Sequence, residues 1–291
     1  MDGKYCFVVT QNIETATCVL LFKWLTKKDN ITVFVSTEEN LIADLKKLSL
    51  NEFKFVYVIG FYNLAKLPNE YDKKNILFIN KICKFKPKFE NKNIITGDIT
   101  TLSLFYNLIK KYCKDDLNSN QTVFFNSVNN YLKYDFDDLL PLKLFYFFKT
   151  QPVQNKVEAF IKRFDTGLIM FNEQENHKLT VIQKELANVL KHIKTYTGAL
   201  SYNNTHYKIV ATFGSKFINE ISHRVLKQSN CDISVCIDLE KKVAYYRKNK
   251  TSEVDLGELV NKCFSGYGTE FAAFSPLNES LLELTKTFYS S

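Results

Sequence analysis

The side chains best suited to binding metal or activating water are unevenly placed. No histidine precedes His177, and the four present, His177, His192, His206 and His223, show no metal-ligand spacing and no sequence partner for a nucleophile. The seven cysteines, Cys6, Cys18, Cys83, Cys113, Cys231, Cys236 and Cys263, are odd in number and form no Cys-x-x-Cys pair, which reads as reduced, buried thiols. Cys231 and Cys236, five apart in a strand-like run, are expected on opposite faces of a sheet. In the first half Asp135, Asp137 and Asp138 form a trio of close carboxylates. The trio suits the opening of a helix, since negative charge is favourable there. Near the other end, Arg247 and Lys248 precede Gly266-Tyr267-Gly268-Thr269. Glycines in such a loop bring backbone N–H groups close to a phosphate, and an arginine grips it. A glycine-containing tight turn before a core strand also fits. Neither a P-loop nor a nucleophile elbow occurs.

The charge is +8, and of 39 Lys plus Arg only Arg163, Arg224 and Arg247 are arginine. Such a lysine skew, with abundant Asn, Ile, Phe and Tyr, points to an AT-rich genome such as that of a virus or parasite. Dispersed lysines are point charges: they could line a groove for nucleic acid, or simply be solvated. No apolar run reaches the roughly 18–20 residues of a membrane span, and Met1-Asp2-Gly3-Lys4 leads into strand-like sequence. The expectation is a soluble intracellular protein, cytoplasmic or, if viral, in the virion.

A chain of 291 residues implies two domains. Strands are expected at Tyr5–Thr10, Thr32–Val35, Phe53–Ile59 and Ile76–Ile79, alternating with helices at Ile13–Lys27, Glu38–Leu48 and Gly97–Tyr112. Ile13, Ala16, Leu20 and Trp24 trace one face of the first helix, and Gly97-Asp98 should open the third. This is the pattern of βαβ units and a mainly parallel sheet. From Asn120 to Glu185 the pattern is helical, with Leu144–Phe148 buried on most sides and a break at Gln151-Pro152. Strands at Thr197–Tyr202, Tyr207–Phe213, Asp232–Ile237 and Lys242–Tyr246, and helices at Lys216–Leu226 and Val254–Cys263, form an α+β region. Thr251-Ser252 would cap the last helix.

The order of the C-terminal segments carries a resemblance. Asp232–Cys236, Val243–Arg247, Val254–Leu259 and Ser265–Ala273 resemble a DHHA1 domain, in which two strands lead to an arginine, a helix follows, and a Gly-Gly-Gly-His-x-x-Ala-Ala-Gly loop closes the unit. Gly266, Gly268, Ala272 and Ala273 match that loop; Tyr267, Thr269 and Phe274 depart from it. In the family the loop and the arginine hold the nucleotide end of the substrate, so the resemblance implies Arg247, Lys248, Gly266, Gly268 and Thr269 as nucleotide- or phosphate-binding candidates. The chain is similar overall to the DHH/DHHA1 phosphoesterase superfamily. The fold implied is α/β: a DHH-like domain with a mainly parallel sheet over 1–150, a helical connector over 151–195 and a smaller α+β DHHA1-like domain over 196–291.

The family's metal motifs map onto the first half with their ligands largely replaced. For His-x-Asp-x-Asp-Gly-x-x-Ser the chain has Thr10-Gln11-Asn12-Ile13-Glu14-Thr15-Ala16-Thr17-Cys18; Gly60 follows the strand that should end in aspartate; Asn80-Lys81-Ile82 stands for Asp-His-His. Asp135 matches a further acidic ligand. Neutral Thr10 and Asn12 cannot replace carboxylates around two dications, and the Lys81 ammonium repels metal. Lys81 could instead fill the metal's place or meet a phosphate, or be solvated. The expectation is no catalytic residue, no metal and no cofactor in a degenerate member that binds or scaffolds. Its partner would be single-stranded nucleic acid, a nucleotide or another protein. Two alternatives stand beside it. One is a divergent Mn²⁺- or Mg²⁺-dependent phosphodiesterase acting on short oligonucleotides or cyclic dinucleotides through Glu14, Asp135 and Asp98. The other is a structural subunit of a larger assembly.

Overall fold

The computed structural model describes residues 3–64, 67–81, 93–97 and 99–277. The chain divides into two compact units, 1–179 and 180–291.

The first unit is built on strands β1 (Lys4–Val9), β2 (Ile31–Val35), β3 (Phe53–Ile59), β4 (Ile76–Ile79) and β5 (Ile94–Ile95), in the order β2-β1-β3-β4-β5, every pair parallel. Both faces are covered, which is why these strands are near-continuous apolar runs. Helix α2 (Leu41–Lys47) packs Leu41 and Leu45 with Cys6, Val8, Val56 and Val58 on one face. On the other face Phe7 and Tyr57 meet Phe22 of α1 (Ile13–Thr26) and Phe105 of α3 (Thr101–Lys110).

Helix α1 departs from the one-faced pattern. Thr15, Thr17, Cys18, Val19, Leu21, Phe22 and Leu25 are buried along with Ile13, Ala16, Leu20 and Trp24. The reason is that α1 also packs against α3, α4 (Ser119–Leu132) and α6 (Lys156–Arg163), so no side of it needs to be polar. Its buried hydroxyl at Thr17 is satisfied by the Ile13 carbonyl at 2.7 Å. Trp24 donates to the Asp165 carbonyl.

Two helix starts differ from expectation. Gly97 does not open α3: Thr100 is its N-cap, with Oγ1 accepting from Ser103 N at 3.1 Å, and Asp98 lies outside the described residues. Helix α2 begins later than Glu38 because the Glu38 carboxylate accepts the backbone N–H groups of Tyr62 and Asn63 after β3.

The aromatic run lies in α5 (Leu139–Thr150), where Leu144, Tyr146, Phe147 and Phe148 are buried. Phe145 is half-buried and stacks on Tyr131 at 4.1 Å. The helix ends before Gln151-Pro152 as the sequence predicts. Phe160 of α6 is fully buried among Phe124, Phe148 and Phe164, a burial that stabilises by roughly 1.5–3 kcal/mol. Helix α7 (Glu173–His192) follows.

In the second unit, β6 (Thr195–Tyr202), β7 (Thr205–Phe213), β8 (Ile233–Asp238), β9 (Val243–Lys248), β10 (Tyr267–Gly268) and β11 (Ala272–Pro276) form a mixed sheet ordered β10-β11-β9-β8-β7-β6. Asn203 and Asn204, both at positive φ, make the two-residue turn between β6 and β7. Helix α9 (Leu256–Phe264) covers one face through Leu256, Leu259, Val260 and Phe264. Its N-cap is Asp255, whose Oδ1 accepts from Glu258 N at 3.0 Å, rather than Thr251-Ser252. A carboxylate in register for the first turn outcompetes hydroxyls placed further upstream. Helix α8 (Ile218–Ser229) covers the other face with Ile221, Val225 and Leu226. Cys231 precedes β8 and joins Cys236 in this same cluster, so strand alternation does not separate them; both are free thiols.

Candidate functional site

The positions aligned with the family's metal motifs gather where β1, β3 and β4 end. In open parallel sheets this carboxyl edge, at the point where strand order reverses, is where ligands bind. Thr10 leaves β1, Gly60 leaves β3, Asn80 and Lys81 leave β4, and Glu14 lies in the first turn of α1. The polar groups there bond mostly to one another. Asn12 caps α1 by accepting from Thr15 N at 2.8 Å, and its Nδ2 donates to Thr10 Oγ1 at 2.8 Å. Thr15 Oγ1 donates to the Thr10 carbonyl at 2.6 Å. Gly60, at φ +90°, lets the chain pass against this cluster: a Cβ would sit 2.5 Å from Thr10 Oγ1 and 2.7 Å from Thr15 Cγ2.

Asn80 is buried, donates to the Phe61 carbonyl at 3.2 Å, and accepts from Thr101 Oγ1 at 3.3 Å. Thr101 Oγ1 in turn accepts from Lys81 N at 2.9 Å. Glu14 Oε1 accepts from Leu102 N at 3.1 Å, placing its carboxylate against the N-terminal turn of α3. Burial pushes the Glu14 carboxyl above its ordinary range; the Leu102 and Thr101 hydrogen bonds and the Lys81 charge offset this only in part. Lys81 is half-buried, and its charge acts on Glu14. Asp135 forms a turn, its Oδ1 accepting from Asp137 N at 3.4 Å, and Asp138 caps α5 through Leu140 N at 3.1 Å. Asp138 thus opens α5, while Asp135 and Asp137 lie in the segment before it.

Two divalent cations require several convergent anionic or imidazole donors. Among the described residues this donor set does not fit them: one carboxylate, already bonded to a helix N-terminus, shares the site with two engaged carboxamides and a cation. Among the described residues no three His, Cys, Asp or Glu side chains converge anywhere.

The C-terminal candidates lie in the second unit, around β9 and the β10–β11 hairpin. Arg247 pairs in register with Ala272 of β11 and Ser234 of β8. Its Nη2 and Nε donate to Asn219 Oδ1 at 2.6 and 3.2 Å, and Nη1 to the Tyr246 carbonyl at 2.7 Å. Lys248 has only 4% of its side chain exposed; it pairs with Glu270, donates to the Val254 carbonyl at 3.2 Å and lies 4.7 Å over Phe271. The glycine loop is also engaged. Gly266 N donates to the Val260 carbonyl, Thr269 N to the Ala272 carbonyl, and Gly268 pairs with Ala273. A Cβ on Gly266 would meet the Phe274 carbonyl at 2.3 Å, and one on Gly268 would meet Ala273 Cα at 2.4 Å. These glycines allow the close approach of the hairpin to its neighbours.

What the sequence did not single out is the face they create. Tyr267 and Phe274, which stand where the family's loop has glycines, are paired across β10 and β11 with ring centroids 6.2 Å apart, and about half of each is exposed. Phe274 is in register with half-buried Tyr245, and Arg247 follows one step along the same face, since Tyr246 and Ala273 point into the α9 core. The signal available was the alternation of Tyr245 and Arg247 against buried Tyr246.

No protein-family model matches the chain, and no curated protein matches it. Among solved structures it is similar to the pGpG-specific phosphodiesterase PggH from Vibrio cholerae, at 14% identity and TM-score 0.55, covering 99% of this chain and 98% of that one. It also matches, at TM-scores below 0.5, an exopolyphosphatase-related protein from Bacteroides fragilis (0.46, 10% identity, 99% of this chain and 92% of that one). RecJ from Thermus thermophilus gives 0.49 at 8% identity, with 98% of this chain and 51% of that one covered. The chain has the two-domain DHH/DHHA1 fold that its sequence resembles. No helix among the described residues is long and apolar enough to cross a membrane.

Proposed function

We propose that this chain is a non-catalytic member of the DHH/DHHA1 superfamily that binds single-stranded nucleic acid or a nucleotide through its C-terminal sheet. The observation that carries the first half is the engagement of Glu14 by the α3 N-terminus beside Lys81. A carboxylate used in this way is not presented to a dication, and neutral carboxamides at positions 12 and 80 do not compensate. Among the described residues metal-activated attack on phosphorus finds no anionic scaffold, which supports a fold kept without that chemistry.

The second half rests on the exposed pair Tyr267 and Phe274, with Tyr245 and Arg247 alongside. The half-exposed rings of Tyr267 and Phe274, at the edge of the sheet face that α8 covers, offer stacking platforms to bases, each contributing about 1–3 kcal/mol. Arg247, held by Asn219, supplies a positioned cation to a phosphate. PggH acts on a dinucleotide, pGpG, which makes a short nucleotide ligand the first to try. Binding of labelled pGpG and of a short single-stranded RNA, followed by anisotropy with rising salt, tests the reading, alongside hydrolysis of both with added Mn²⁺. Expected are salt-sensitive binding weakened in Arg247→Ala and no cleavage. Unchanged binding in that variant removes the proposed surface; manganese-dependent cleavage removes the proposed inactivity.

A further inference from the structure

The edge strand β6 has none of the features that keep sheet edges from pairing with other chains. Edges are usually short or protected by charge, proline or a bulge. Strand β6 runs eight residues, Thr-Tyr-Thr-Gly-Ala-Leu-Ser-Tyr, and contains no charged residue and no proline. The opposite edge of the sheet, β10, has two residues, and in the first unit the edges β2 and β5 have five and two. All ladder pairings of β6 and β7 are in unbroken register.

Which backbone groups of β6 face outward follows from its neighbour. Asp232 N donates to the Lys208 carbonyl and Lys208 N to Asp232 Oδ2, so Lys208 turns its backbone toward the β8 side. Alternation then turns Tyr207, Ile209 and Ala211 toward β6, where their partners are Leu200, Gly198 and Tyr196. Thr195, Thr197, Ala199 and Ser201 are left with N–H and C=O directed away from the sheet, and all four are exposed.

We propose that β6 pairs antiparallel with β6 of a second copy of this chain, about a two-fold axis through Gly198. The occupant is chosen by charge. A strand meeting itself places like beside like, and an uncharged strand is the kind that can do so without repulsion. Centred on Gly198, Thr195 pairs with Ser201 of the second copy and Thr197 with its Ala199, so all four outward residues exchange hydrogen bonds. Gly198 then faces itself on the axis with no side chain to clash. Tyr196, 49% exposed, lies opposite Leu200 of the second copy on the same face, an aromatic-aliphatic cross-strand pair. The two sheets become one.

The experiment is sedimentation or light scattering of the full chain across the micromolar to millimolar range, with Thr197→Pro and Ala199→Pro as variants. Both lose an outward N–H and no bond to β7, and proline is tolerated at such edges. Expected is a species of twice the 33.9 kDa chain mass, weakened at least about ten-fold in either variant with circular dichroism unchanged. As a fold-independent reading, Gly198→Cys should cross-link to itself under mild oxidation at least about ten-fold faster than Thr197→Cys, because only the axial residue meets its own copy within disulfide range. A monomer at every concentration, a dimer indifferent to both prolines, or equal cross-linking of the two cysteine variants overturns the proposal.

Discussion

Replacing Glu14 by glutamine separates the present account of the β1–β3–β4 edge from a metal centre. Glutamine keeps an oxygen where Oε1 accepts from Leu102 N, so the α3 N-terminus stays capped. What is lost is charge assistance, about 1–2 kcal/mol for a hydrogen bond to an ionised acceptor, together with the pull of Lys81. What is gained is relief from burying an ionised carboxylate. The upward push on the Glu14 carboxyl means that the burial penalty exceeds the sum of those favourable contacts. The variant, a mimic of the protonated form, is therefore expected to match or exceed the wild type at neutral pH. The gain should reach no more than about 2 kcal/mol, or a rise of up to about 8 °C in melting temperature for a unit of this size. The pH dependence has a definite sign. A carboxyl that binds its proton more tightly folded than unfolded contributes stability that is present at low pH and lost as pH rises from the ordinary glutamate range through the raised value. Melts followed by circular dichroism from mildly acidic to neutral pH should show that decline in the wild type relative to Glu14→Gln. A variant destabilised by more than about 2 kcal/mol at neutral pH, or a wild type that gains stability relative to it as pH rises, refutes the reasoning.

Two further substitutions probe the same structure. Gly60→Ala forces a side chain onto a left-handed residue and into Thr10 and Thr15, and should cost about 2–5 kcal/mol in a denaturant titration; a loss under 1 kcal/mol would show that the strand end is not closely packed. Tyr267→Ala combined with Phe274→Ala removes the exposed ring pair, and should weaken nucleotide or single-stranded RNA binding by at least about ten-fold while leaving the melting temperature within about 2 °C. Binding that survives this double change would place the ligand elsewhere.

The alternating apolar segments made the first four strands and the early helices legible, because parallel strands covered on both faces need continuous apolar sequence. The helix caps were less so. Thr100 and Asp255 compete with nearby Gly97, Thr251 and Ser252, and only the local register of the first turn decides among them. The burial of α1 on all sides was hidden for a different reason: its second partner, α6, lies more than a hundred residues away in sequence. At the site, Thr10, Asn12, Asn80 and Lys81 are expected from the sequence resemblance at one sheet edge, and the strand ends do bring them there. The use of Glu14 could not be read from sequence, since its partner Leu102 is joined to it by tertiary structure alone. The glycines at Gly266 and Gly268 fit a phosphate cradle or a tight turn in sequence, and only the structure adds the close contacts with Phe274 and Ala273. A glycine needed for close packing and one needed for a ligand look alike in sequence.

Among the described residues, the carboxyl edge of the N-terminal sheet lacks the donors to hold two divalent cations. Titration of Mn²⁺ into the chain by calorimetry, with Glu14→Gln in parallel, tests it most directly. The account predicts no saturable uptake at the site and indistinguishable isotherms for the two proteins. Two tightly held ions per chain in the wild type, lost in the variant, would contradict it.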